Sequence, residues 1–250
     1  MAEQRRTEGF REAMDRVCRT PFETCDPEFA RLFAAFALDE VEQQAQLDDR
    51  TGFLTLLAAL MGCQGIRMYQ ETARAALEHG ITPVELKEVV YQATAYLGIG
   101  RVYPFLQITD QLLTEAGIPQ PLPGQRRTTP EDRVKLGNQA QVDIFGEGMR
   151  GFQNSGPEDT RPINRWLAGN CFGDYYTRGG LDYRQRELIT FCFLAAQGGC
   201  EPQLTSHAAA NLRLGNDRAF LTRVIFHILP YIGYPRSLNA LRCLEQAAGQ

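Results

Sequence analysis

None of the seven cysteines, at positions 18, 25, 63, 171, 192, 200 and 243, stands in a CxxC pair. That absence excludes a dithiol redox motif and the CxxC…CxxC and CxxC…HxxxH zinc patterns, so the residues call for no metal and no other cofactor. Scattered thiols fit a reducing cytoplasm. Cys18, Cys25, Cys171, Cys192 and Cys243 read as small core residues. The 250-residue chain has no dense Lys/Arg run and a formal net charge of -4, which leaves no broad positive field for a nucleic acid partner. It also has no apolar run of membrane length. The longest, Phe53 to Cys63, is about half a span and reads as a buried helix, with no membrane partner expected. The segment Met1-Ala2-Glu3-Gln4-Arg5-Arg6 leads into charge rather than an apolar core, so it shows no signal-peptide pattern. The reading is cytoplasmic.

What the chain does contain is an internal repeat. Leu86 to Leu106 and Leu221 to Leu241 superimpose without a gap, sharing Leu86/Leu221, Val89/Val224, Tyr96/Tyr231, Gly98/Gly233, Arg101/Arg236 and Leu106/Leu241. Upstream, Leu57-Ala58-Ala59 and Gly62-Cys63 match Leu194-Ala195-Ala196 and Gly199-Cys200, and Leu47-Asp48 and Leu181-Asp182 open the two units. Apolar residues at 220, 221, 224, 225, 228 and 229 follow a helical period, and helices are expected over Arg184 to Gln197, Leu204 to Leu214 and Phe220 to Leu229. Pro83 and Pro202 stand where a first helical turn tolerates proline, Gly80 and Gly215 where helices stop, and Thr82 with Glu85 forms a capping-box pattern. Gly117 to Pro130 reads as a surface linker. The fold class is therefore all-α, with one repeat over residues 1–125 and a second over 126–250 packed on each other.

The chemistry concentrates in the second repeat. With a helix starting at Pro202, Gln203 and His207 lie four apart on one face and Cys200 sits at the cap, where the helix dipole should favour its thiolate and lower its pKa. Glu187, a turn into the preceding helix, reaches the same point if the two helices form a hairpin. His227, in an apolar helix, reads as a packed residue, and His79, before Gly80, as a solvated cation. Gly146-Glu147-Gly148-Met149-Arg150-Gly151 satisfies GxGxxG, but no helix pattern comes after it, so dinucleotide binding is set aside. Phe172 to Tyr176 with Trp166 could wall a pocket or pack subunits together.

The order of Glu187, Cys200, Gln203 and His207 resembles the Glu…Cys-x-x-Cys-x-x-x-His pattern of the alkylhydroperoxidase D family, with Gln203 in place of the second cysteine. Leu181-Asp182, Arg184, Arg186-Glu187-Leu188 and the Tyr231-x-Gly-x-Pro235 turn are similar to the carboxymuconolactone decarboxylase branch of the same superfamily, which keeps the histidine but uses no cysteine pair. The resemblance implies a tandem, all-helical member with candidate catalytic residues His207, Glu187, Cys200 and Gln203. It leads first to an enzyme performing acid–base chemistry on a small carbonyl, lactone or carboxylic acid. A peroxide reductase using Cys200 comes second, lacking a resolving cysteine, and a non-catalytic oligomeric scaffold third. In the first repeat Cys63 aligns with Cys200, Ile66 with Gln203 and Gln70 with His207, while Phe53 or Arg50 faces Glu187, so that copy reads as structural. The resemblance also implies a homo-oligomer: two copies related by a pseudo-twofold axis, three chains forming a pseudo-hexamer, and first-copy residues walling the second copy's site.

Overall fold

Start and stop signals in the sequence set the helices. The computed structural model describes the backbone of residues 2–19 and 21–249 and the side chains of 9–19 and 21–249, with no β-strand among them. The first copy comprises α1 (Ala2–Arg19), α2 (Pro27–Ala34), a π-helical turn (Ala35–Val41), α3 (Glu42–Ala45), α4 (Asp49–Gly62), α5 (Ile66–Glu78), α6 (Pro83–Leu97) and α7 (Ile99–Glu115). The second comprises α8 (Arg133–Phe145), two short 3-10 turns, α9 (Arg161–Trp166), a second π-helical turn (Leu167–Tyr176), α10 (Tyr183–Gln197), α11 (Glu201–Arg213), α12 (Arg218–Ile232) and α13 (Tyr234–Ala248). Residues 116–132 between the copies hold no helix. The GxGxxG segment spans the first 3-10 turn, ends where the second begins and opens no α-helix.

Capping explains the boundaries. Thr82 accepts from the Glu85 N–H while the Glu85 carboxylate returns to the Thr82 N–H, the reciprocal box read from the sequence. Asp182 forms the same box with Gln185 at the start of α10, and Asp48 and Asp217 cap α4 and α12. Gly198 and Gly199 both take positive φ, 69° and 70°, which lets the chain reverse between α10 and α11 without a Cβ penalty.

The two copies share their apolar interior. One continuous buried cluster runs from Phe10 through α4 and α6 into α10, α12 and α13. At its centre α4 lies on α10, and each is flanked by a helix of the other copy, since α6 packs on α10 and α12 packs on α4. That reciprocal exchange is what a pseudo-twofold relation produces. Gly62 permits the close approach, because a Cβ there would stand 2.6 Å from the Phe193 carbonyl oxygen and 2.7 Å from the Ala196 Cβ. A smaller cluster of Ala140, Ile144, Cys171, Phe172, Tyr176 and Ala210 joins α8, the second π-turn and α11.

Two expectations need correction. Cys25 is exposed rather than core, because it lies in the turn between α1 and α2 and not on a helix's apolar face. His79 is half-buried, its Nδ1 bonded to the Ala75 carbonyl at 2.8 Å and its ring 5.7 Å from that of Phe53, so it is a bonded C-terminal residue and not a freely solvated one.

Candidate active site

The α10–α11 hairpin brings together the two acid–base residues that the sequence placed twenty positions apart. Glu187 is the fifth residue of α10 and His207 the seventh of α11. His207 Nδ1 lies 2.7 Å from Glu187 Oε2, with Glu187 fully buried and the His207 side chain 10% exposed. Asn211, one turn beyond His207 on the same face, donates to both the Glu187 carbonyl at 2.9 Å and the His207 carbonyl at 2.8 Å. It ties the two helices at the height of the pair. Asn216 holds Asn211 in turn, at 2.8 Å.

The other Glu187 oxygen is also occupied. Tyr176, at the end of the second π-turn, donates its hydroxyl to Glu187 Oε1 at 2.6 Å. The Tyr176 oxygen is 2.7 Å from the Tyr96 hydroxyl of α6 and 3.2 Å from Thr190 Oγ1. Burial pushes the Tyr96 and Tyr176 hydroxyls well above the usual tyrosine range, with Cys171 and Glu187 beside them adding to the effect. Both remain neutral donors. The imidazole is held between two rings, with Tyr96 and Phe145 edge-on at centroid distances of 5.2 and 5.4 Å.

An ionised Glu187 can only accept, so His207 must carry its proton on Nδ1. In the neutral ring Nε2 is then the lone-pair nitrogen. It makes no hydrogen bond among the described residues, yet it is not among their sealed, unpaired buried atoms, so it keeps contact with the surface. A carboxylate-held imidazole with one free nitrogen can take up or deliver a proton.

Cys200 caps α11 as expected and is a free, half-buried thiol. Its pKa is raised, opposite to the expectation from the helix dipole. Burial dominates, Glu201 and Cys243 nearby add to the rise, and the donation of Gln197 to sulfur only partly opposes it; the thiol itself lies 3.5 Å from the Leu194 carbonyl. Cys200 has no contact with the Glu187–His207 pair in the hydrogen-bond network. Gln203 is exposed, one turn before His207 on the same helix.

The first copy has a different interior at the matching place. α5 and α11 both have 13 residues, and their N-caps align Gly65 with Cys200, Met68 with Gln203 and Thr72 with His207. This corrects the alignment of Cys63, Ile66 and Gln70, which slipped by two residues because the matching Gly-Cys pairs occupy different points of the two turns. The fifth residue of α4 is Phe53, where Glu187 stands in α10. Phe53 packs on Phe10 at 4.9 Å, and Thr72 lies against Met14. Phe53, Phe10, Thr72 and Met14 occupy the place of the acid–base pair.

First-copy residues nevertheless reach the second copy's site. Tyr96 touches His207 and Tyr176, and Gln92 donates to Thr190 at 3.3 Å. Arg186, wholly buried beside Glu187 in sequence, bridges Gln92 and Glu88 of α6 at 3.1 and 2.9 Å, and Arg178 pairs with the same Glu88. The sequence signalled Tyr96 only as a repeat landmark and Tyr176 only as part of an aromatic cluster. Trp166, grouped with that cluster, lies apart from it and is 64% exposed. Asn211 carried a readable signal, the four-residue spacing from His207.

A duplicated helical fold with a carboxylate–histidine pair in one copy defines the class. The carboxymuconolactone decarboxylase family model matches residues 27–111 and again 162–246, about two thirds of the chain, and the chain belongs to that family. It is also similar to the 4-carboxymuconolactone decarboxylase of Acinetobacter baylyi, with 27% identity over 118 residues, 46% of this chain and 87% of that protein.

Proposed function

We propose that this chain is an acid–base enzyme of the carboxymuconolactone decarboxylase type, moving a proton to or from a small carbonyl, lactone or carboxylic acid substrate through His207 Nε2. The observation that carries the reading is the 2.7 Å Glu187–His207 contact combined with a free Nε2. Glu187 fixes the tautomer and balances the imidazolium that forms when Nε2 takes a proton. In a decarboxylation Nε2 first takes a proton from solvent, the substrate carboxylate leaves as CO2 with its bonding electrons staying on the conjugated lactone as a dienolate, and the imidazolium gives its proton to a carbon of that dienolate, which restores the neutral ring. Gln203, exposed one turn before His207 on the same helix, is the side chain we assign to substrate contact in this reading. Cys200 supports this reading less directly, because its raised pKa keeps it a thiol.

The test is turnover of 4-carboxymuconolactone and a panel of small lactones by the wild type and three variants. H207Q should lower kcat/KM by about 10²–10⁴-fold and E187Q by about 10–10²-fold, while C200S stays within about twofold of wild type. Loss of activity in C200S with retention in H207Q, together with peroxide consumption by the wild type, would instead establish the thiol reaction.

A further inference from the structure

We propose that Tyr96, supplied by the copy that lacks an acid–base pair, is a positioning residue of the His207 site, an inference that rests on the acid–base reading above.

Counting protons along one chain of contacts fixes the direction of each bond. The Tyr176 hydroxyl donates to Glu187 Oε1 at 2.6 Å, and the other carboxyl oxygen faces His207 Nδ1 at 2.7 Å. The single Tyr176 proton is thereby committed. The 2.7 Å contact between the two tyrosine oxygens then requires Tyr96 to be the donor and Tyr176 the acceptor. Every bond along Tyr96, Tyr176 and Glu187 is oriented toward the carboxylate, and successive donors of this kind strengthen one another in a buried setting. The Tyr176 side chain is buried, and that of the half-buried Tyr96 reaches it from the neighbouring helix. The Tyr96 ring adds a second constraint, standing edge-on to the imidazole at 5.2 Å and 81°. One side chain therefore acts on His207 twice, through the ring that fixes its plane and through the hydroxyl that sets how strongly Glu187 is satisfied.

This role accounts for retention of the first copy. α6 packs on α10, which delivers Tyr96 to the neighbouring site in the same chain. The first copy carries Phe53 and Thr72 where the second carries Glu187 and His207, while its α6 presents Tyr96 to the second copy's pair.

The test uses the full chain with 15N-labelled histidine and reads the Nδ1–H proton resonance of His207. In Y96F the Tyr176 bond to Glu187 weakens, Glu187 draws more on His207, and the resonance should move downfield. Replacing Tyr96 with 3-fluorotyrosine, a stronger donor on an otherwise unchanged ring, should move it upfield. Y96F should also lower kcat about fivefold with KM within about twofold. Y69F serves as control, since Tyr69 is a buried tyrosine bonded to Thr109 at 2.7 Å away from the site, and it should move neither readout. A resonance that stays put in both Tyr96 substitutions, or shifts equally in Y69F, overturns the proposal. If the wild type turns over no lactone, the acid–base reading fails while the resonance still decides the role of Tyr96.

Discussion

Two histidines of this chain meet a glutamate through Nδ1, and they differ in what the other ring nitrogen touches. His207 leaves Nε2 free, whereas His227, fully buried on α12, directs Nδ1 at Glu42 at 2.6 Å and Nε2 at the Gly52 carbonyl at 3.0 Å. Both partners of His227 are acceptors, so both nitrogens must carry protons, and the ring is an imidazolium pinned between the copies. Burial alone would lower its pKa, but Glu42 and the Gly52 carbonyl outweigh burial and raise it. A raised folded-state value gives a stabilisation that is fully present below the unfolded histidine pKa, about 6.5, and fades as pH rises through the folded one. Thermal melts should therefore show the wild type losing stability as pH rises above about 6.5, and H227Q losing that dependence along with on the order of 3 kcal/mol at pH 6. Equal pH profiles for the two proteins would contradict this. The sequence distinguished His207 from His227 by its spacing to Glu187, but not the charge state of His227, because its partners lie 175 and 185 positions away.

At the level of the helices, the hydrophobic period and the caps were legible, and the two π-turns were not. Each π-turn leads into a contact with the other copy: the first to Glu42, which pairs with His227, and the second to Tyr176, which pairs with Tyr96. A π-turn widens the spiral by one residue per turn and re-aims the side chains beyond it, a change that leaves no clear trace in apolar spacing. The second turn lies tight against α8, where a Cβ on Gly173 would stand 2.2 Å from the Arg133 carbonyl oxygen and one on Gly137 1.8 Å from that of Ala168. Spacing also left the hairpin register of the first copy two residues out, since short turns can absorb a slip that caps do not. The Gly62 crossing of α4 and α10 gives a direct check. G62A forces the methyl group into backbone of the other copy, and urea unfolding should show a loss of about 1–3 kcal/mol or more. A neutral result would mean that the helices can separate freely at this point.

For the whole molecule, the duplication predicts assembly. Ile99 and Tyr103 are the first and fifth residues of α7, Tyr234 and Leu238 the first and fifth of α13, and each is more than half exposed. Large apolar residues left bare at the same two positions of both copies are the pattern expected of a contact that both copies make with neighbouring chains. Sedimentation at micromolar concentration should show a trimer of the chain, converted to smaller species by Y103E combined with L238E, and a wild-type monomer would contradict the assembly. The site itself is tested most directly by acylating the histidines with diethyl pyrocarbonate while following both peptide masses and lactone turnover. His207 should be modified at Nε2, substrate should protect it, and activity should fall in step with its modification while His227 stays silent. Full turnover by protein whose His207 is acylated, or a His207 that resists the reagent as His227 does, would contradict the role assigned to Nε2.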